Sequence, residues 1–356
     1  MLRALRIENF RCFQMFELQQ LGKLNLLVGT NNSGKTSILE AVQLLNSQSN
    51  FESLRDVMIG RGEYILSDEQ GGGRELDVRH LFYGHEINEG SKFSIVGNHH
   101  HDGEGITVSV EHAGQLSLFE DLREFLLVIE WLGQENERIK LPLSSMEGLP
   151  LNYVRRVRKD LKHPGSRTQF VTSSSLTGEK MIELFDQVVL TPEEELVTEA
   201  LQIIEPSIDR IASVGAEKYR PTGSRSGFVV RLTHGDQRIP IGSMGDGLWR
   251  MLGLTLAIVN ARNGVLLVDE IDTGLHFSTM SDMWNLIWKT AKRLNVQVFA
   301  TTHNSDCWTS LATIASHESP SEDGITIQRI EKGKPNSIVF TERQVAIAAE
   351  RGIEVR

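Results

Sequence analysis

LNLLVGTNNSGKTSIL, residues 24–39, joins an apolar run to a glycine-containing loop and then to a helical pattern. The apolar residues predict a buried strand, and the residues after Gly34 open the predicted helix. The loop fits G-x-x-x-x-G-K-[ST] at every fixed position, with Gly29, Gly34, Lys35 and Thr36. A strand before this pattern and a helix after it are the context that the pattern requires. The stretch therefore predicts a phosphate-binding loop.

Each residue type in this loop has a physical role in holding phosphate. Glycines let backbone N–H groups turn inward, and a helix N-terminus adds a fixed positive end. Lys35 is expected to reach the β- and γ-phosphates of ATP, and the Thr36 hydroxyl is expected to bind Mg²⁺. ATP and Mg²⁺ are therefore the expected ligands. The expected nucleotide contacts are Gly29, Asn31, Asn32, Ser33, Gly34, Lys35, Thr36 and Ser37.

A second run, residues 265–270 (VLLVDE), predicts a strand buried on both faces that ends in two carboxylates. Asp269 is expected near Mg²⁺, and Glu270 is expected to act as the catalytic base or to position water beyond the γ-phosphate. The alternative is a strand that merely ends in an acidic turn. The phosphate-binding loop elsewhere in the chain favours the catalytic interpretation.

The segment SMGDG, residues 243–247, opens the predicted helix that precedes this strand. Ser243, Gly245 and Gly247 would make a second anion-binding helix start. Since one chain already holds one phosphate site, we predict a homodimer in which each SMGDG segment closes over the γ-phosphate held by its partner. An ordinary glycine-rich helix cap is the alternative.

Thr301-Thr302-His303 follows the next predicted strand. Histidine at such a strand end can hydrogen-bond the γ-phosphate and respond to its loss. A lone histidine is usually structural or solvated, but its position after the other patterns favours a catalytic role. The predicted catalytic residues are therefore Glu270, His303 and Lys35.

Composition restricts the class of protein. The chain has 356 residues, of which 40% are hydrophobic and 24% charged, as in globular proteins. The net charge of −10 excludes a basic surface over the whole molecule, so any nucleic-acid contact needs a local patch. Two cysteines, no signal-peptide pattern and no long apolar run predict a cytoplasmic protein without a membrane span or disulfide framework.

Two weaker features leave alternatives open. A basic run at Arg155, Arg156, Arg158, Lys159 and Lys162 is either a solvated face or a patch for nucleic acid or a protein partner. A histidine-rich turn, residues 99–102 (HHHD), is either a metal site or, as we favour, a solvated loop.

The order of predicted elements indicates an α/β P-loop fold with a mixed sheet core. We expect an N-terminal ATPase lobe over 1–150, with an antiparallel β layer and a loop-rich excursion over 46–75. A mainly helical inserted lobe is expected over 151–215, including a helix capped by Thr191 and another after Pro206. The C-terminal ATPase lobe is expected over 216–356.

The order of the four patterns resembles the ABC-type ATPase heads of the RecF, SMC and OLD superfamily. The opening LRIENFRCF, residues 5–13, resembles the first strand of those heads, and residues 272–276 (DTGLH) resemble their D-loop. SMGDG departs from the usual LSGGQ signature, and the Q-loop glutamine has no clear counterpart. There is no long coiled coil of the SMC kind. By analogy, Arg11 would contact nucleotide phosphates.

This resemblance implies that ATP drives head-to-head dimerisation and that hydrolysis reopens the dimer. No acidic cluster of the Toprim nuclease kind follows His303, so we expect the effector to be a separate chain. The effector is expected to be a nuclease in anti-phage defence or DNA repair. The alternative is an ATP-gated DNA-binding clamp of the RecF type. A nucleotide subunit of a membrane transporter is disfavoured because the first strand and middle segment do not resemble one.

Overall fold

The structure is a computed structural model that describes residues 1–47, 51–66, 74–99, 103–112, 125–132, 138–144, 146–151, 167–214, 227–235, 237–317 and 323–355. The basic run within 155–162 and residues 100–102 of the histidine-rich turn lie outside the described residues.

The strands, numbered in chain order, are β1 (Ala4–Phe10), β2 (Phe13–Leu18), β3 (Leu24–Val28), β4 (Tyr64–Leu66), β5 (Arg74–Asp77), β6 (Lys92–Asn98), β7 (Gly103–His112), β8 (Phe125–Leu132), β9 (Arg138–Pro142), β10 (Gly148–Pro150), β11 (Thr168–Val171), β12 (Ile208–Ser213), β13 (Phe228–Leu232), β14 (Ile239–Pro240), β15 (Val265–Val268), β16 (Gln297–Thr301), β17 (Ile325–Arg329) and β18 (Ile338–Thr341). The α-helices are α1 (Lys35–Asn46), α2 (Phe51–Gly60), α3 (Gly178–Asp186), α4 (Glu194–Gln202), α5 (Asp246–Asn260), α6 (Phe277–Leu294), α7 (Ser305–His317) and α8 (Glu342–Glu350).

One compact unit comprises Met1–Leu21, Asn32–Ser166 and Glu331–Ser337. It contains an antiparallel sheet in the order β2-β1-β6-β7-β8-β9, which confirms the predicted antiparallel layer. Period-2 alternation explains its buried face, since Ile7 of β1 is buried and pairs with Phe16 of β2. Helix α1 packs closely at Gly97, where a Cβ atom would lie 2.5 Å from a methyl carbon of Leu45. Glycine at this position therefore lets the helix approach the strand.

The other compact unit comprises Gly22–Asn31, Arg167–Ile330 and Ile338–Arg356. Its main sheet has the order β11-β15-β16-β3-β17-β18, in which neighbours are parallel except for antiparallel β18. Every residue of β3, β15 and β16 is buried, as expected for strands covered on both faces. Residues of these strands belong to one buried cluster with Leu252 of α5 and Trp284 of α6. The predicted mixed α/β sheet is therefore confirmed.

Three local predictions are wrong. The expected loop over 46–75 contains α2 and the strands β4 and β5, because the apolar residues of 51–60 recur with helical spacing that the polar composition concealed. The segment after Pro206 is strand β12, whose pairing with β13 overrides local helix propensity. The N-cap of α4 is Glu193, while the Thr191 hydroxyl accepts from the Glu193 N–H at 3.3 Å.

None of the helices in the described part of the chain is long and apolar enough to span a membrane.

Candidate nucleotide site

The carboxyl ends of three neighbouring parallel strands form the candidate site. β16 lies between β15 and β3, so the three strands end at the same edge of the sheet. The phosphate-binding loop begins at Gly29 after β3, and Asp269 and Glu270 follow β15. Thr302 and His303 follow β16. Three of the four sequence patterns therefore reach one sheet edge, where ligands bind in open α/β folds.

The phosphate-binding loop has the backbone geometry that its glycines predict. Positive φ angles occur at Gly29 (146°), Asn32 (59°) and Gly34 (97°). A Cβ atom on Gly34 would lie 2.3 Å from Cζ of Phe13, so no larger residue fits. Asn31 and Asn32 are exposed, whereas Lys35 and Thr36 are half-buried at the start of α1. This cradle leaves backbone close to whatever occupies the loop.

The start of α1 carries two features that suit an anion. The helix has no side-chain cap at Gly34 and no acidic residue in its first turn, so no negative side chain of that turn offsets its positive end. Ser33 is 4% exposed, and its Oγ has no hydrogen-bond partner among the described residues. Ser37 is buried on the same helix, with its Oγ 3.9 Å from Sγ of Cys12. These features fit a phosphate ligand.

Thr301 organises the two carboxylates after β15. Its hydroxyl donates to Oδ1 of Asp269 at 2.6 Å and accepts from the Glu270 N–H at 2.8 Å. Glu270 has φ +46°, an unfavourable region for a residue with a side chain. Backbone strain at this turn thus coincides with the predicted catalytic carboxylate.

The Glu270 carboxylate lies between two polar groups. Its Oε1 is 3.8 Å from Nδ1 of His303, and its Oε2 accepts from the Thr273 hydroxyl at 3.4 Å. The side chains of Glu270 and His303 are 42% and 53% exposed. A carboxylate that is open to solvent and adjacent to an imidazole can accept a proton from water. The structure therefore brings Glu270 and His303 together.

The D-loop pattern is tied to the same strand end. The Thr302 hydroxyl donates to Oδ1 of Asp272 at 2.7 Å, and the Ile271 N–H donates to the Thr301 carbonyl at 3.0 Å. The turn after β15 and the end of β16 therefore form one hydrogen-bonded structure.

The SMGDG segment forms the start of α5. Ser243 is exposed in a 3-10 turn, and its hydroxyl donates to the Pro240 carbonyl at 3.0 Å. Gly245 is the N-cap with φ +96°, and Asp246 lies in the first helical turn. A carboxylate there weakens the positive end that an anion would meet. A Cβ atom on Gly247 would lie 3.1 Å from the Gly274 carbonyl oxygen, so this segment packs on the D-loop of its own chain.

Arg250 is a further residue of this site that none of the four sequence patterns includes. This residue is 2% exposed on α5 and donates to the backbone carbonyls of Asp269 and Glu270 at 2.8 and 2.7 Å. Burial lowers the pKa of its guanidinium to about 10, against the opposing effect of Asp272, Asp269 and Glu270. The signal was present in the sequence, because one arginine interrupts an otherwise uncharged buried run.

Arg11 is placed differently from the analogy. Its side chain is 3% exposed, with Nε 3.1 Å from Glu40 and Nη1 2.5 Å from Glu63. Arg61 also pairs with Glu40 at 2.5 Å. The guanidinium therefore pairs with buried Glu40 and half-buried Glu63, and the suggested phosphate contact finds no support.

The remaining candidates are structural. Burial raises the pKa of the Cys307 thiol far above its usual range, which leaves the residue unreactive. His99 lies 3.6 Å from Glu104, and the described residues contain no group of three or more His, Cys, Asp or Glu that could hold a metal ion. A magnesium site would instead use a hydroxyl and one carboxylate together with substrate phosphates.

Comparison with known proteins identifies relatives. A family model described as "AAA domain, putative AbiEii toxin, Type IV TA system" matches residues 24–306, well over half of the chain. A protein of Helicobacter pylori named ATP/GTP phosphatase is 22% identical over 355 residues, covering 86% of each chain. The DNA replication and repair protein RecF of Chlorobium phaeovibrioides is 36% identical over 102 residues, covering 27% of each chain.

A solved structure has the same fold. The Smc head domain of Pyrococcus furiosus, with an extended coiled coil and bound to the C-terminal domain of ScpA, superposes with a TM-score of 0.50 at 10% identity. The superposition covers 99% of each chain. At this identity the likeness describes the fold alone, and it agrees with the head-type fold expected from the sequence.

Proposed function

This chain belongs to the AAA-domain family whose model spans residues 24–306, within the RecF/SMC superfamily of ABC-type ATPases, and on that premise we propose that it hydrolyses ATP as a homodimer. The observation that carries the proposal is the solvent-open Glu270 carboxylate, 3.8 Å from His303 Nδ1 at the sheet edge where the phosphate-binding loop begins. The ATP/GTP phosphatase relative supports the reaction class.

The binding of ATP is assigned to the phosphate-binding loop and the start of α1. The uncapped helix start, the Gly34 cradle and the Ser33 hydroxyl, which has no hydrogen-bond partner in the described ranges, support a phosphate ligand there. Lys35 pairs with the β- and γ-phosphates in this proposal. Mg²⁺, when bound through Thr36 and Asp269, would neutralise charge on those phosphates. Thr301 orients the Asp269 carboxylate for that role.

Glu270 is assigned the hydrolytic step. It orients a water molecule and accepts its proton as the water oxygen bonds to the γ-phosphorus. The bond from that phosphorus to the β,γ-bridging oxygen breaks, and the electron pair leaves with ADP. His303 donates a hydrogen bond to the γ-phosphate and, through its proximity to Glu270, responds when that phosphate is gone.

A second copy of the chain is assigned the other side of the nucleotide. Ser243, Gly245 and Gly247 of that copy contact the γ-phosphate in this proposal. The exposure of Ser243 and Gly245 supports it, as does Phe277, which follows the D-loop with 60% of its surface exposed. The Asp246 carboxylate would repel the γ-phosphate, and a contact from Lys or Arg or from Mg²⁺ would offset that repulsion. ATP then holds the dimer closed, and hydrolysis opens it.

The closed dimer is proposed to report nucleotide state to a separate effector protein, a nuclease in anti-phage defence or DNA repair. The support is the motif set itself: Glu270 and His303 serve phosphate chemistry, and the described residues contain no metal cluster of the nuclease kind. The toxin named in the family description is a property of that family's model.

The test compares Lys35→Ala and Glu270→Gln with wild type in ATP turnover, nucleotide binding and mass in solution. Lys35→Ala should lose binding. Glu270→Gln should bind ATP, fall in turnover by about 100-fold or more, and accumulate as a dimer with ATP and Mg²⁺. Glu183→Gln, the same change at an exposed site on α3, is the control and should behave as wild type. Normal turnover by Glu270→Gln would refute the assignment of the base.

An ATP-gated DNA-binding clamp is the second candidate. Its support is the partial match to RecF and the basic run Arg155, Arg156 and Arg158 in an otherwise acidic chain. Binding of duplex DNA that requires ATP and weakens with salt is the expected result. Unchanged DNA affinity after reversing the charges at 155, 156 and 158 would rule out that patch.

A further inference from the structure

Arg250 is a buried charge that bonds to backbone rather than to a carboxylate. It is the one charged residue in the run of buried residues 248–259 on α5. Its Nη1 donates to the Thr172 carbonyl at 2.5 Å, and its Nη2 donates to the Asp269 and Glu270 carbonyls. Burying a guanidinium is costly, and apolar side chains of similar volume generally pack with less cost. A structural role alone therefore explains Arg250 poorly.

The three carbonyls lie at the ends of neighbouring strands. Thr172 follows β11, and Asp269 and Glu270 follow β15, which pairs with β11 in parallel. The guanidinium therefore crosses from one strand end to the next and holds the turn in which Glu270 has φ +46°. Thr301 holds the N–H side of that turn, and Arg250 holds its carbonyl side.

The same helix carries a second contact to this region. Gly247, one helical turn before Arg250, lies against the Gly274 carbonyl of the D-loop. A Cβ on Gly274 would in turn lie 3.4 Å from Cβ of Asp246. The start of α5 is therefore joined to residues 269–274 at two places, by the Gly247 contact with the D-loop and by the hydrogen bonds of Arg250.

We propose that Arg250 is a positioning residue that couples the start of α5 to the orientation of Glu270 in the same chain. The inference rests on the proposed function, in which residues 243–247 contact ATP held by a second copy. ATP in one site then sets the base of the other site, so the two sites of the dimer hydrolyse ATP cooperatively. The proposed coupling uses only residues of this chain and of its second copy.

The test uses Arg250→Met, Arg250→Lys and a matched control, Met251→Ala. Met251 is buried on the same helix, so its truncation destabilises α5 without removing the carbonyl bonds. Four properties are measured for the full chain: melting temperature, nucleotide binding, ATP turnover with its Hill coefficient, and hydrogen exchange of the amides at 269–272 in the absence of nucleotide.

Arg250→Met should keep nucleotide binding while turnover falls by about 100-fold, as expected when a reacting group shifts by about 1 Å. Its Hill coefficient should fall to about 1, because the coupling is gone. Amides of Glu270 and Ile271 should exchange faster than in wild type, and Arg250→Lys should restore part of each property. Met251→Ala should melt earlier with exchange at 269–272 unchanged.

Unchanged exchange and turnover in Arg250→Met would overturn the positioning role, as would equal losses in Met251→Ala at matched melting temperature. A loss of turnover with the wild-type Hill coefficient retained would overturn the coupling. Failure of the proposed function is distinguishable, since a wild type without ATP turnover would show it directly. In that case, hydrogen exchange at 269–272 without nucleotide still tests whether Arg250 holds this turn in place.

Discussion

Oδ1 of Asp269 accepts a 2.6 Å hydrogen bond from the Thr301 hydroxyl, and through that hydroxyl two neighbouring strands share one functional turn. The Thr301 hydroxyl oxygen also accepts a hydrogen bond from the Glu270 N–H at 2.8 Å. Asp269 and Glu270 thus depend on a residue of β16 for their orientation. A hydrogen-bond donor behind a metal-binding carboxylate fixes the orientation of that carboxylate.

Replacement of Thr301 by valine keeps the shape of the side chain and removes both bonds. The Glu270 N–H then lacks its acceptor, at a cost of about 1–3 kcal/mol in the free energy of unfolding. The Mg²⁺ concentration needed for half-maximal ATP turnover should rise about 10- to 100-fold. Titration of turnover against Mg²⁺ measures this effect.

Thr255→Val is the control for that experiment. Thr255 is 1% exposed, and its hydroxyl donates to the Met251 carbonyl within α5, away from the carboxylates. Its Mg²⁺ dependence should match wild type. An identical shift in both variants would show that Thr301 contributes only to stability.

Gly34→Ala tests the cradle of the phosphate-binding loop. The added Cβ would meet Phe13, a ring that is 8% exposed and stacked on Phe16 at 4.6 Å, so the ring cannot easily move away. We expect nucleotide affinity to fall by more than about tenfold, because the loop backbone must shift. Binding of a fluorescent ATP analogue measures the loss.

Gly62→Ala is the control that separates backbone strain at a positive φ from a steric clash of the added Cβ. Gly62 also has a positive φ of 75°, but within the described part of the chain no atom beyond its two neighbours lies within 4 Å of its added Cβ. It should lose about 1 kcal/mol of stability from the backbone alone and bind nucleotide normally. Nucleotide affinity in Gly34→Ala equal to that in Gly62→Ala would contradict the steric account.

Arg11→Met tests a buried ion pair rather than a ligand contact. Removing the guanidinium takes away the cation that contacts Glu63 and leaves Glu40 with Arg61 as its remaining salt-bridge partner, at a cost of up to about 3–5 kcal/mol in stability. Burial raises the pKa of Glu40, and the nearby arginines oppose that shift. Without Arg11 the pKa rises further, so the variant is least destabilised below the unfolded value of about 4.3 and loses stability as pH rises through the folded pKa.

Denaturant unfolding of Arg11→Met at several pH values measures this dependence. Arg11→Met combined with Glu40→Gln should recover much of the lost stability and flatten its pH dependence, because the buried carboxylate charge of Glu40 is removed. ATP affinity per folded molecule should stay near wild type. A specific loss of ATP affinity at full stability would restore the phosphate contact that the analogy suggested.

Local patterns were sufficient for the elements that carry the site. An apolar run followed by Gly29 and Gly34 predicted β3, the loop and α1, and the run before Asp269 predicted β15. The sequence predictions named Glu270 and His303, and the parallel pairing of β15 with β16 is what brings them to one edge.

Features that depend on tertiary pairing were not predictable in the same way. Strand β12 has mixed local propensity and is decided by its partner β13. The bonds of Arg250 to Thr172 and Glu270 join residues 78 and 20 positions apart, which no local pattern specifies. A lone charged residue in a buried apolar run needs hydrogen-bond partners, but the sequence does not specify which groups they are.

Arg250→Lys should make ATP turnover sensitive to alkaline pH. The wild-type guanidinium has a pKa of about 10 and stays charged from about pH 7 to 9. A lysine ordinarily has a pKa of about 10.4, and burial lowers it because the charged form is disfavoured, while Asp272, Asp269 and Glu270 oppose the shift. As pH rises through the lowered pKa, the amine loses its proton and weakens its bonds to the carbonyls. Turnover of the variant should therefore decline between about pH 8 and 10 and recover on return to pH 7.

Arg262→Lys, at an exposed pair with Glu193, is the control and should keep the wild-type profile. Coincident pH profiles for Arg250→Lys and wild type would show that the charge at residue 250 does not control Glu270.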